Sequence, residues 1–303
     1  MASVAPDGSP SALLLAELAR SFERVAGMKL RVKVRFGGVL GDEITTFRDC
    51  QRGRVHLWAG SVSAAEGAVP GVTVLDTPYL VGDLASYQRG IKPDILDGPL
   101  TERAFREHGL VPLAAGFVGW RSISTREKPV RVPSDLRGLR MRSLPSPLHS
   151  ALWRHLGALP RVTALTEVLS TFREKLVDAV DLQVVYLFAT SLVDQIRYHT
   201  RTGHMAQTAA VVANRDAFGR LSRRAQAEIL RLRADWVARS NQVHGKLEDE
   251  LVEAVRAQGV QVIEPTDVER AAWRQATAPL AAEALRLGGP VGAELIAAVK
   301  AAQ

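Results

Sequence analysis

An α/β fold of two domains is what this sequence predicts, and three features carry that reading. Short apolar segments of strand character alternate with helical periods along the chain, the order expected of a sheet covered by helices. The 303 residues amount to about twice the usual domain length. From Leu221 to Gln258, apolar residues fall at Leu221, Ala225, Ile229, Leu232, Trp236, Val243, Leu247, Leu251 and Val255, which keeps one helix face apolar. As one straight helix these 38 residues would reach about 57 Å, beyond the roughly 38 Å width of a 150-residue domain, so the helix should run along both domains; the alternative is a kink at Gly245, or two helices broken near Ser240 to Gly245.

The elements follow in order. Ser9 is placed to cap a helix with Pro10 at its first position, and Leu13, Leu14, Leu18 and Phe22 give it a helical period ending near Gly27. Leu30 to Phe36 alternates apolar and basic residues as a strand does, and Gly37-Gly38 stops it. A short helix over Glu43 to Arg52 precedes a strand over Val55 to Ala59. Val72 to Leu75 is short and apolar, and Leu84 to Phe105 reads as helix with breaks at Pro93 and Gly98. Leu110 to Phe117 and Arg121 to Ser124 read as strands, followed by a short strand over Leu139 to Arg142. Helices over Pro147 to Leu156 and Glu167 to Glu174, a strand over Ala179 to Leu182 and a helix over Tyr186 to Leu192 lead to a buried strand over Met205 to Ala213. Beyond the long helix come a strand over Val260 to Ile263 and a helix over Asp267 to Leu287.

Composition narrows the chemistry. Apolar residues make up 47% and charged residues 23%, ordinary for a globular chain, and no run approaches the roughly 20 apolar residues of a membrane span. The single cysteine, Cys50, forbids an intramolecular disulfide and a multi-cysteine metal site. HExxH, CxxC, GxSxG and GxxxxGK[ST] are all missing, and His199 and His204 are five apart with no acid partner, so neither a metal nor a cofactor is expected. No nucleophile–base pair or paired acids stand out, so an enzyme is not expected. The formal charge is +7, and Trp120 to Lys175, with eleven basic residues against four acids, carries that whole excess. Such a local field suits an anionic partner. Nucleic acid is the less favoured partner, because the basic residues are not interleaved with aromatics and no binding motif is present. Met1 to Pro10 lacks a basic n-region, and Leu13-Leu14-Leu15 is too short for the apolar core of a secretion signal.

Several stretches, in order, resemble one family. Gly37-Gly38-Val39-Leu40-Gly41-Asp42-Glu43, Gln51 to Leu57 and Pro70 to Leu80 look like successive segments of TRAP-type solute-binding proteins, the C4-dicarboxylate receptor family. So do Val118-Gly119-Trp120-Arg121, Leu156 to Pro160 and Val177-Asp178-Ala179. Pro133-Ser134-Asp135-Leu136-Arg137-Gly138-Leu139-Arg140-Met141-Arg142 is the most specific match, resembling Pro-x-Asp-Leu-Lys-Gly-Leu-Lys-x-Arg. The resemblance implies a two-lobed, periplasmic-binding-protein-like α/β fold, each lobe a sheet flanked by helices. Residues 1–117 and 205–240 would form one lobe and residues 118–204 and 241–303 the other, with the long helix over 221–258 shared. It further implies a periplasmic receptor, expected to be a monomer, that closes on a small organic anion and delivers it to the permease subunits of a secondary transporter. The family's secretion signal is not seen and the first strand looks clipped, so the chain is expected to start late.

The resemblance makes Arg142 the carboxylate clamp, since a guanidinium offers a planar fork to two carboxylate oxygens. Arg121 is expected as a second cationic contact and Trp120 and Trp58 as pocket walls. Ser61 follows a strand end, where open α/β sheets place ligands. Asp181, Gln183 and Tyr186 follow a strand in the second lobe, and Gln207 lies near the return crossing. Asp42 and Glu43 suit a helix start better than a pocket. Leu182 stands where family members commonly carry a polar amide, which favours a ligand with an apolar body. The alternative within the class is a largely hydrophobic ligand.

Overall fold

A computed structural model of the chain describes residues 1–27, 30–91 and 99–303. Its strands are β1 (Ala2–Ser3), β2 (Leu57–Ser61), β3 (Leu110–Thr125), β4 (Arg140–Ser143), β5 (Leu159–Val162), β6 (Ala179–Leu182), β7 (Tyr198–Asn214) and β8 (Gln261–Ile263). Among the described residues they form one mixed sheet in the order β1-β2-β7-β3-β6-β4-β5, with β8 pairing along the start of β7. Helices cover it, so the α/β class holds.

The long antiparallel pair of β3 and β7 organises the molecule. Its register runs from Leu110 opposite Asn214 to Thr125 opposite Tyr198. The sequence reads as two strand pieces where β3 is one, because the interruption at Val118–Trp120 is absorbed as irregularity within the ladder. Register shifts fall between Pro112 and Ala114, between Phe117 and Gly119, and between Arg121 and Ile123. Gly119 sits at φ +142°, a conformation that side chains with a Cβ rarely adopt. β1 and β2 join one half of this ladder, and β6, β4 and β5 join the other.

Apolar packing follows the same division. Phe47, Trp58, Phe105 and Phe117 anchor a core around the first half, and Leu15, Phe22, Leu113 and Ile229 pack a second cluster there. Met141, Leu148, Trp153 and Trp273 anchor the other half, beside Phe172, Leu182, Leu187 and Val255.

Three further elements differ from expectation. Leu30 to Phe36 makes only an isolated bridge, Arg35 to Ala2, because the neighbouring strand β1 is two residues long and offers no further ladder. The long helix is two helices, Arg223–Arg231 and Arg233–Ala257, joined at Leu232, whose N–H turns to the Ile229 carbonyl at 3.2 Å in a tighter turn. The second runs on through Gly245, where a Cβ would lie 2.5 Å from Leu84 Cδ2; that glycine admits a neighbour and does not kink the helix. The last helix is likewise two, Asp267–Thr277 and Leu280–Ala301, divided at Ala278-Pro279 and bent within the second at Gly289. The breaks expected at Pro93 and Gly98 fall outside the described residues.

Candidate functional site

The carboxyl ends of two parallel strand pairs, β1 with β2 and β4 with β6, open onto one cleft. Such ends are where α/β sheets place ligands, because the loops that follow them diverge. The cleft holds about 720 Å³ of unfilled space, part of it open to solvent. Ser61 ends β2, Arg142 lies near the end of β4, and Leu182 and Gln183 close β6. Val118 and Arg121 of β3 and Gln207 of β7 cross its floor. The Arg233–Ala257 helix contributes Trp236, Ser240 and His244, one stripe at a spacing of four.

Two arginines share the cleft and are held very differently. Arg121 is 1% exposed and bound on three sides: Nε donates to Asp181 Oδ2 at 2.6 Å, Nη2 to the Asp181 carbonyl at 2.6 Å and Nη1 to Gln207 Oε1 at 2.7 Å. Gln183 Nε2 donates to the same Gln207 oxygen at 3.2 Å, so these four residues form one unit. Arg142 is 0% exposed, and its Nε and Nη2 both donate to the Thr163 carbonyl, at 3.1 and 2.8 Å. Its Nη1 has no acceptor among the described residues. Burial, and then the nearby Arg121, lower its pKa to about 10, which leaves it a cation at neutral pH. The edge of the guanidinium left free, Nη1 with the second N–H of Nη2, is the edge that takes a carboxylate end-on. Trp236 also lines the cleft, and its buried Nε1 has no acceptor among the described residues.

Glu43 faces the same space. Asp42 caps its helix by accepting from the Thr45 N–H at 2.7 Å, while the Glu43 carboxylate turns to β2. Oε1 accepts from the Ser61 N–H at 2.8 Å and Oε2 from the Ser61 hydroxyl at 3.0 Å. Burial raises the Glu43 pKa, a rise that these hydrogen bonds and the two arginines partly oppose. Across the cleft, His244 Nδ1–H donates to the Ser240 carbonyl at 3.0 Å, which leaves Nε2 to accept from the Ser11 hydroxyl, also at 3.0 Å. Tyr186 stands beside Ser11, and burial pushes its hydroxyl up to about 12.

Of the residues expected at the site, Arg142, Arg121, Ser61, Gln183, Tyr186 and Gln207 line this cleft, and three do not. Trp58 is a correction. It is 0% exposed, edge-on to Phe47, and its ring lies over Gly60, where a Cβ would come within 2.4 Å of it. Its Nε1 donates to the Glu43 carbonyl at 3.1 Å, so it supports the helix that carries Glu43. Trp120 is a second correction. Strand alternation turns it away from Arg121, against Phe117 and towards a separate depression with Tyr79 and Arg274. Asp181 is the third. It is 0% exposed beneath the cleft, spent on Arg121. Burial alone would raise its carboxyl, but Arg121 and His204 hold it well below the usual carboxylate range.

Glu43, Ser11, Trp236, Ser240 and His244 also line the cleft and are not among the residues expected there. Glu43 reads equally well as the first-turn acid of a helix, and the Trp236–Ser240–His244 spacing of four was the available signal for the others. His204 also corrects the sequence reading, since its Nε2 lies 3.6 Å from Asp181 Oδ2. Among the described residues no group of three or more His, Cys, Asp or Glu side chains is arranged to hold a metal ion. Cys50 is buried, and burial pushes its thiol up to about 12, which leaves it inert.

Comparison with known proteins places the chain in a family. The model of the family "bacterial extracellular solute-binding protein, family 7" matches residues 1–286. The 2,3-diketo-L-gulonate-binding periplasmic protein YiaO of Escherichia coli is 24% identical over 281 residues, 93% of this chain and 84% of its own. The C4-dicarboxylate-binding periplasmic protein DctP of Rhodobacter capsulatus is 25% identical over 301 residues, 99% and 88% of the two chains. DctP7 of Bordetella pertussis, an extracytoplasmic solute receptor solved with pyroglutamic acid, shares the fold at a TM-score of 0.92 and 21% identity, over 99% of this chain and 98% of that one. The chain thus belongs to family 7 of the bacterial extracellular solute-binding proteins, the DctP family of TRAP receptors.

Proposed function

We propose that this receptor binds a small organic acid in the cleft, with the carboxylate on Arg142, and hands it to the membrane permease of a TRAP transporter. Members of the family are receptors and not enzymes, so binding, release and selectivity are the whole task. One observation carries the reading: a buried guanidinium, at the carboxyl end of a parallel strand, with a donor that finds no acceptor among the described residues. Burying a charge without a full set of partners is costly, and a carboxylate arriving end-on would supply the missing acceptor in a low-dielectric setting where such a bond is strong.

Residues 1–117 with 205–240 would form one lobe, and residues 118–204 with 241–303 the other. They would close about the β3–β7 crossing, where Gly119 and the register shifts soften the ladder. The receptor would act as a monomer outside the cytoplasm, without a nucleic-acid partner. The walls between the polar groups are apolar (Leu14, Leu144, Leu165, Leu182 and Val118), which favours an acid with an aliphatic body and keeps a largely hydrophobic ligand as the second reading.

The test is thermal unfolding of the wild type and of Arg142→Ala with a panel of carboxylates, keto acids, sugar acids, and aromatic and fatty acids. An acid at 100 times its Kd adds about 2.7 kcal/mol to stability. One acid class should shift the wild type and leave the variant unmoved. Shifts that persist in the variant would remove Arg142 from the role.

A further inference from the structure

From the charges on the cleft wall we infer that the site selects a monocarboxylate whose far end carries a hydrogen-bond donor, a hydroxyl or an amine, and that Glu43 makes this choice and turns dicarboxylates away. The inference rests on the reading of Arg142 as the carboxylate clamp and goes beyond it by assigning the opposite end of the ligand.

Two guanidiniums line the cleft, but Arg121 is neutralised by Asp181 at 2.6 Å and has Gln207 on another nitrogen. Arg142 is therefore the one cation on the wall, among the described residues, without a carboxylate of its own. His244 adds no charge, because burial lowers its pKa and its Nδ1 proton is engaged by Ser240. Tyr186 is a neutral phenol at any physiological pH. A ligand with two carboxylates would find one guanidinium, not two.

Glu43 then decides what the other end meets. It is the one acid on the cleft wall among the described residues. Ser61 supplies one hydrogen bond to each of its oxygens, whereas a carboxylate offers about four acceptor positions. The residue is half-buried and lines the cleft. An O–H or N–H reaching it gains a charge-assisted bond, a second carboxylate meets like charge, and a methyl end leaves those positions unfilled. Trp58 Nε1 on the Glu43 carbonyl, with Gly60 leaving room for both side chains, fixes where the carboxylate stands.

The experiment is calorimetric titration at pH 8, which favours the ionised form of Glu43. It uses four matched series of three to six carbons: methyl-ended, ω-hydroxy and ω-amino monocarboxylic acids, and dicarboxylic acids. In the wild type the best ω-hydroxy or ω-amino acid should bind at least about tenfold more tightly than the methyl-ended and dicarboxylic acids of its length. Glu43→Gln should bring the dicarboxylate within about threefold of it, and Arg142→Ala should abolish binding of all four. A dicarboxylate that binds the wild type as tightly as its hydroxy acid overturns the inference, as does a preference that survives in Glu43→Gln; in both cases the Arg142 reading stands. If no acid of any series binds the wild type, both fail together. Should Glu43→Gln not fold, the wild-type ranking decides alone.

Discussion

Arg121 Nε donates to Asp181 Oδ2 at 2.6 Å, with both side chains buried under the floor of the cleft. The pair links β3 to β6, and through Gln207 it reaches β7. In the proposed reading it would support the site more than contact the ligand. Asp181→Leu should therefore lower unfolding stability by about 3–5 kcal/mol, since it strands a buried cation. Removing both charges, with Arg121→Met and Asp181→Leu together, should cost less than Asp181→Leu alone. Urea unfolding of the two single variants and the double variant measures the coupling.

Arg142 should behave in the opposite way. Its charge is buried with the Thr163 carbonyl as its hydrogen-bond acceptor. Arg142→Met keeps much of the volume and removes the desolvated charge. Stability without ligand should stay within about 1 kcal/mol of wild type or rise, while acid binding is lost. Chemical unfolding beside ligand titration separates the two effects, and a large loss of stability would make Arg142 a structural residue.

At Gly119 the backbone and its surroundings both demand glycine. The residue lies at φ +142°, and a Cβ there would stand 3.0 Å from Gln183 Cβ and 3.2 Å from Glu248 Oε2. Gly119→Ala should cost about 1–3 kcal/mol and weaken acid binding through the displaced Gln183, read by urea unfolding and titration.

Glu248, on the helix behind this bend, makes stability depend on pH. Burial raises its pKa from 4.5 to about 7, although the Trp120 backbone N–H and Arg201 pull the other way. Its folded pKa thus exceeds its unfolded one. Its contribution is present in full below about 4.5 and is lost as pH rises through about 7, because the unfolded chain releases that proton first. Urea midpoints at pH 5 and pH 8 should fall less in Glu248→Gln than in wild type. An equal fall in both would remove Glu248 from the pH dependence.

The α/β class, most element positions and the place of Arg142 on the cleft wall were legible in the sequence because they rest on local signals: periodicity, caps such as Ser9, and one specific motif ending at Arg142. What failed depended on longer range. Whether Trp58 and Trp120 face the cleft is fixed by strand phase, and a one-residue difference in phase turns every side chain over. β3 looks like two strands because the interruption near Gly119 is an irregularity within a ladder that β7 holds together. Glu43 was read as belonging to its helix start, and only the approach of Ser61 from β2 shows that its side chain leaves the helix for the cleft. The break at Leu232 carries no glycine or proline to announce it.

A crystal structure with the tightest-binding acid of the panel would show whether Arg142 holds the ligand carboxylate. A carboxylate oxygen should lie within about 3 Å of Arg142 Nη1, with the Arg121–Asp181 pair intact beneath it. A carboxylate bound elsewhere, in the depression beside Trp120 or on Arg121 alone with Arg142 Nη1 still without an acceptor, would contradict it.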